Sequence, residues 1–301
     1  MKKIILFISV TLCLFGLYHT LSPRVVMEHS VNVSKGLDQK RYIKIIPISD
    51  VHLGHSMSVK DFSNLSQDIL NIVNRDPENT LVLFMGDFFT FESEFNVAFE
   101  DAIYEGLKPL QSIHKNVYVA LGNHDIDLLD TVLYQLKRLQ ITILTDESLV
   151  LKKKRIQLTG FNYFFKNADI LSKQVASNAK MEKDVDLRLL LLHNPSHFKY
   201  AASELNDKIP SITFSGHFHG GQFSARNFFR SLRIGFVEAI TGHPDYEWYG
   251  FDFESETVKS LSSIALKPSN PLLYVCSGAG FYGPPLRIGT SSELPIIHIN
   301  Y

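Results

Sequence analysis

Ile43-Lys44-Ile45-Ile46-Pro47-Ile48 runs straight into Ser49-Asp50-Val51-His52, and that junction decides how the rest of the chain is read. The first half is a short apolar run rich in β-branched residues, as a buried strand requires. The second half puts a carboxylate and an imidazole at the strand's exit. The same arrangement recurs downstream. Leu81-Val82-Leu83-Phe84-Met85 leads to Gly86-Asp87, and Val117-Tyr118-Val119-Ala120-Leu121 leads to Gly122-Asn123-His124-Asp125. Leu187 to Leu192 ends at His193, and Ile212-Thr213-Phe214 leads to Gly216-His217-Phe218-His219. Ligands of open α/β sheets gather beyond the carboxyl ends of the strands, so these segments are expected to converge on one crevice.

Spacing adds to the expectation. In extended backbone, residues two apart point to the same side. Asp50 with His52, and His217 with His219, are thus each expected to present two donors to one pocket. The glycines before Asp87, Asn123 and His217 let the backbone turn sharply and come close to an ion. Asp, Asn and His offer oxygen and nitrogen donors that suit manganese, iron or zinc better than copper(I) or calcium.

Outward from these junctions, apolar runs alternate with amphipathic stretches, the pattern of an α/β fold. Strands are predicted at 43–48, 81–85, 117–121, 156–159, 187–192, 212–214, 272–276 and 296–299, and helices at 59–74, 95–108 and 131–139. Residues 42–301 read as one domain, without internal repeats. The basic run Lys152–Arg155 lies between two apolar triplets and reads as a solvated hairpin turn. Residues 22–41, with Ser22-Pro23 and Lys35-Gly36, read as a linker.

Ahead of that linker, Met1-Lys2-Lys3 precedes an apolar stretch from Ile4 to Tyr18. Basic residues followed by such a run suit a membrane anchor or a signal peptide, or, more blandly, a buried helix. No small-x-small cleavage site follows, so the preferred reading of residues 1–21 is an uncleaved anchor at the inner, cytoplasmic membrane, with the side left open. Thirty basic residues face 31 acidic ones. That balance gives no global electrostatic reason to bind nucleic acid, and no protein partner is expected. Cys13 and Cys276 form neither a thiolate metal site nor a disulfide framework.

In order, the motifs D-x-H, G-D, G-N-H-D, H and G-H-x-H resemble those of the calcineurin-like metallophosphoesterase superfamily over roughly residues 42–301. The resemblance implies two mixed β-sheets packed as a sandwich and flanked by helices. It implies two divalent metal ions, manganese being the first choice, with Asp50, His52, Asp87 and His219 at one and Asp87, Asn123, His193 and His217 at the other. His124 would support the phosphoryl oxygen or the leaving group, with Asp125 orienting it. The reaction implied is hydrolysis of a phosphodiester or pyrophosphate bond.

Gly216 to Gln222, and Gly278 to Gly289 with Ser292-Glu293-Leu294, resemble a membrane-associated branch of that superfamily. Some of its members hydrolyse UDP-2,3-diacylglucosamine to UMP and lipid X in lipid A synthesis, and that lipid-bearing phosphate is the specific substrate expected here. Phe88 is a candidate wall of an apolar substrate groove, or else a cap on the core. Arg226 and Arg230, beside Phe228 and Phe229, are candidate contacts to substrate or a lipid surface, or else ordinary amphipathic packing. Arg287 is a candidate substrate contact or a structural residue. Lys2-Lys3 before a spanning helix would instead place the catalytic domain outside the cytoplasm. The alternative is therefore an exported phosphodiesterase or phosphatase of unknown small or wall-linked substrate. A non-catalytic protein-binding scaffold fits least, because no position of the motif set is missing.

Overall fold

The computed structural model describes residues 24–33, 41–90, 101–161, 184–198, 209–219, 250–252, 264–265, 272–282, 287 and 291–301. In chain order its elements are β1 (Val25–Asn32), β2 (Tyr42–Ile48), α1 (Val59–Val73), β3 (Thr80–Phe84), α2 (Ala102–Leu107), β4 (Val117–Val119), α3 (Leu129–Arg138), β5 (Thr142–Ile143), β6 (Glu147–Leu151), β7 (Ile156–Gly160), β8 (Leu187–Leu191), β9 (Ser211–Ser215), β10 (Gly250–Asp252), β11 (Ile264–Ala265), β12 (Leu272–Val275) and β13 (Glu293–Asn300). They build two mixed sheets, β11-β1-β13-β2-β3-β4-β5 and β10-β12-β9-β8-β7-β6.

Side-chain alternation assigns each face. Ile43 and Ile45 of β2, Leu81 and Leu83 of β3, and Tyr118 of β4 pack against Leu187, Leu189 and Leu191 of β8 and Ile212 and Phe214 of β9, so the first core lies between the sheets. The alternate residues Ile46, Ile48, Val82, Phe84, Val117 and Val119 face α1, α2 and α3 in a second core. Both faces of the central strands are thus buried, which is why they read as unbroken apolar runs. Each fully buried Leu or Ile contributes about 1.5–3 kcal/mol. α1 starts at Ser58, whose hydroxyl accepts the Asp61 N–H at 3.1 Å, a cap of about 1 kcal/mol. Its Phe62, Leu65, Ile69 and Val73 are buried at helical spacing.

The expected sandwich is present, and the predicted strands recur within one to three residues at each end. Three expectations change. Residues 25–32, read as linker, form β1, which pairs parallel to β13 from Val25↔Glu293 to Asn32↔Asn300. Val31 is fully buried in the core between the sheets. The partner that recruits this strand lies at the far end of the chain, so local turn residues could not reveal it. The helix expected from residue 95 begins at Ala102 and gives way at Lys108 to 3₁₀ turns carrying Pro109; its first residues lie outside those described. Lys152–Arg155 does form the β6–β7 turn. It is not wholly solvated, since Arg155 grips Asp186 through two hydrogen bonds of 2.6 and 2.9 Å. Among the described residues no helix is long and apolar enough to cross a membrane; residues 1–21 lie outside them.

β2, β3 and β4 are parallel neighbours, as are β8 and β9. Their carboxyl ends therefore open at the same edge of the sandwich, and each carries one of the expected ligand segments.

Candidate metal centre

The ligand residues sit where the parallel ladders run out. Asp50 N–H donates to Gly86 O, Val51 and His52 N–H both donate to Asp87 O, and Leu53 N–H donates to Phe88 O, all at 2.7–3.1 Å. These bonds pin the first loop onto the second. They hold Asp50, His52 and Asp87 in left-handed backbone, at φ of 55°, 51° and 58°; His217 and His219 are likewise at 70° and 50°. Each such residue costs about 1–2 kcal/mol and persists only where the surroundings over-determine it.

This corrects the extended-backbone expectation, because the donors converge through left-handed turns and not through strand alternation. Asp50 and His52 do share a cluster, which His219 joins, but His217 belongs to the other, with Asp87 and His193. Within each cluster the donor atoms lie within 4.8 Å of one another. The close approach of the loops needs small residues. Gly86 has φ 86° against the Gly122 backbone, and a Cβ on Gly122 would overlap the Asp87 carboxylate.

In the first cluster, His52 Nε2 and His219 Nε2 are 3.2 Å apart, and His219 Nε2 is 3.7 Å from Asp50 Oδ1. In the second, His193 Nε2 is 3.2 Å from Asp87 Oδ2 and 3.1 Å from Asn123 Oδ1. His217 Nδ1 is 3.0 Å from the same Asn123 oxygen. Asp87 Oδ2 also lies 3.9 Å from His52 Nε2, so a single carboxylate oxygen faces both clusters.

Electrostatics tests whether this donor set fits cations. Burial keeps His52 and His219 neutral, with pKa values of about 3, and His217 at about 4; neutral imidazole is the ligating form. Asp87 is also buried, which would raise its pKa, but His193, His52 and His124 outweigh burial and hold it well below the usual carboxylate range. Burial opposes charge on His193 too, yet Asp87, Asp50 and the Met85 carbonyl raise its pKa to about 9. Its Nδ1 donates to Met85 O at 2.5 Å, which aims Nε2 at the Asp87 and Asn123 oxygens. The cage draws positive charge to that point, and a divalent cation satisfies it better than one proton. The residues fit two divalent metal ions.

His124 is half-buried at the edge of the first cluster. Its backbone N–H donates to Asp87 Oδ1 at 2.9 Å, and its ring centre is 5.3 Å from that of His52. Asp125 does something other than orient it. The fully buried carboxylate accepts backbone N–H groups from Gly122 and Asp87, both at 2.8 Å, and from Phe88 at 2.7 Å. It thereby staples the loop after β3 to the loop after β4. The reason is burial: inside the protein, the orphaned amides of two tight turns are its nearest donors.

Two substrate candidates are also corrected. Phe88 is fully buried and packs on Phe84 and Phe62, with ring centres 5.6 and 6.3 Å away, so it belongs to the core. Arg287 is buried, and its guanidinium donates to the carbonyls of Ser277 (2.9 Å), His219 (3.3 Å), Gly278 (3.3 Å), Ser291 (3.5 Å) and Gly280. It binds the C-terminal loop to a ligand's backbone, and burial lowers its pKa to about 10. Arg226 and Arg230 lie outside the described residues.

Sequence reasoning missed three neighbours of the centre. Ser49 donates to Asp50 Oδ2. Thr90 Oγ1 lies 3.5 Å from His52 Nδ1. Tyr282 sits beside His124, with ring centres 5.1 Å apart. The first two directly precede or closely follow quoted motifs, and Tyr282 falls inside the quoted C-terminal segment, so their positions were visible though their contacts were not.

The chain is similar in sequence to several known proteins. An uncharacterised metallophosphoesterase of Helicobacter pylori is 27% identical over 286 residues, covering 94% of this chain and 66% of that protein. A Danio rerio transmembrane protein with a metallophosphoesterase domain is 24% identical over 304 residues, covering 96% of this chain and 60% of that protein. The chain thus spans less than two thirds of the length of these relatives. A 5'-nucleotidase precursor of Thermus thermophilus aligns with a TM-score of 0.46 at 13% identity, over 79% of this chain and 49% of its own. Residues 43–221, more than half of the chain and spanning every ligand described above, match the calcineurin-like phosphoesterase family. The chain belongs to that family.

Proposed function

We propose that this protein hydrolyses a phosphodiester or pyrophosphate bond at a dinuclear centre, with manganese in both sites. The observation that carries the reading is the pair of clusters facing one Asp87 oxygen, with His124 at their rim. When bound, two divalent cations supply Lewis-acid charge for the phosphoryl oxygens and lower the pKa of water. The chain's own residues do the rest. Asp87 faces both sites and links them, Asn123 gathers His193 and His217 at the second, and the left-handed turns preset the donor directions before substrate arrives. His124, half-exposed beside the first cluster, carries the proton that the departing oxygen needs, a contribution of about 10²–10⁴-fold.

For the substrate we propose a lipid-bearing phosphate presented at a membrane surface, specifically UDP-2,3-diacylglucosamine cleaved to UMP and lipid X. Support comes from the apolar stretch Ile4–Tyr18 ahead of the domain and from the C-terminal segment around Gly278 to Gly289. The burial of Phe88 withdraws one earlier support, an aromatic groove directly after Asp87. Lys2-Lys3 favours a second reading, in which the domain is exported and acts on a different diester.

The test incubates full-length protein and its Asn123→Ala variant with manganese and UDP-2,3-diacylglucosamine, measuring UMP, with bis-p-nitrophenyl phosphate as generic substrate. UMP from the parent alone supports the lipid reading. Generic hydrolysis without UMP leaves a phosphoesterase with another substrate. Inactivity on both by protein holding two metals per chain overturns the proposed hydrolysis for these substrates.

A further inference from the structure

Tyr282 is an exposed aromatic side chain held in place over the centre. The residues before it are each tied to the first ligand segment: Ala279 N–H donates to Ser49 O (2.9 Å), Gly280 N–H to Asp50 O (2.7 Å), and Phe281 N–H to Ser56 Oγ (2.8 Å). Arg287 grips the carbonyls of Gly278 and Gly280 from behind. The ring that emerges from this scaffold lies 5.1 Å from His124, 5.6 Å from His52 and 6.4 Å from His219, centre to centre. It is nevertheless 38% exposed, unlike the fully buried core aromatics. A tyrosine fastened at its backbone and open to solvent on one side is a wall of a binding cleft. It borders the first cluster and His124.

We infer that Tyr282 is a specificity-determining residue that packs its ring face against the leaving group. This rests on the proposed hydrolysis, because it is His124's role at the departing oxygen that makes its side of the cleft the leaving-group side. The chemistry that a fixed aromatic wall recognises is a planar ring or the C–H face of a sugar, in preference to a short alkyl group. The ring, more than the hydroxyl, does the recognising, so phenylalanine substitutes and alanine does not.

The experiment uses full-length, manganese-loaded protein and its Tyr282→Phe and Tyr282→Ala variants, with metal content and thermal midpoint recorded for each. Calorimetric titration with phenylphosphonate and methylphosphonate, neither of which turns over, reads the ring preference without catalysis. The parent and Tyr282→Phe should prefer the phenyl compound, and Tyr282→Ala should lose about 3- to 10-fold of that preference. Hydrolysis of bis-p-nitrophenyl phosphate and methyl p-nitrophenyl phosphate then assigns the side. Both release the same phenolate, so a leaving-group contact makes Tyr282→Ala lose the same factor on each.

Loss on the bis ester alone would put Tyr282 on the retained group and overturn the inference. So would an unchanged ring preference, a parent that binds neither phosphonate, or a Tyr282→Ala protein that fails only by shedding metal. If the ring preference depends on Tyr282 but neither ester is cleaved, the cleft wall stands and the hydrolase reading falls.

Discussion

Replacing Asp125 by asparagine separates two roles that the sequence alone cannot distinguish, orienting His124 and stapling the loops. In the structure Oδ2 accepts from Gly122 and Asp87, and Oδ1 accepts from Phe88. Asparagine keeps the shape but has only one acceptor atom. With its oxygen at the Oδ2 position, its amide group faces the Phe88 N–H, leaving one buried donor unpaired at a cost of about 1–3 kcal/mol. The two bonds that survive also lose their charge assistance. An opposing effect is relief of the buried charge, since burial and the neighbouring Asp87 raise the Asp125 pKa to about 7. The expected net loss is about 1–2 kcal/mol, or roughly 2–8 °C in thermal midpoint for a domain of this size. Because the staple also fixes the loops bearing Asp87 and Asn123, metal affinity should fall about 10- to 100-fold. Differential scanning fluorimetry and metal titration measure both. An Asp125→Asn protein with unchanged midpoint and metal affinity but a displaced pH–rate profile would refute the staple and restore the orienting role.

Three further outcomes are expected. Arg287→Lys should lower the thermal midpoint by about 5–15 °C, since one ammonium cannot span carbonyls on both His219 and the Gly278–Gly280 loop; a normal midpoint with a raised KM would return Arg287 to substrate binding. Burial raises the Glu293 pKa from its ordinary 4.5 to about 7. The stabilisation from its protonated form is therefore complete below pH 4.5 and lost as pH rises through 7. Glu293→Gln, which keeps an acceptor for Ser277 N–H at 2.6 Å, should gain on the parent in thermal midpoint from pH 5 to 8; parallel curves would contradict this. Removing metal with a chelator should lower the midpoint, manganese at one hundred times its Kd should restore about 2.7 kcal/mol of stability, and Asp87→Ala should abolish that response.

The ligand set was legible in the sequence because its chemistry is concentrated at a few strand exits. Carboxylate, amide and imidazole side chains follow apolar runs at Asp50, Asp87, Asn123, His193 and His217, and parallel strands can end only in such a shared edge. The core strands were legible for a related reason, since burial on both faces leaves an unbroken apolar run. What the sequence could not specify is anything set by a distant partner. β1 is a strand because β13, at the other end of the chain, offers it a ladder. Asp50 and His52 point inward because Gly86, Asp87 and Phe88 carbonyls hold their backbone left-handed. His217 and His219 divide between two clusters for the same kind of reason, and Phe88, Asp125 and Arg287 acquire their roles from what surrounds them when buried. Residue type and local period fix which groups can ligate and where strands form; the direction of each side chain follows from backbone angles imposed by long-range hydrogen bonds, and these exist only once the loops have been brought together.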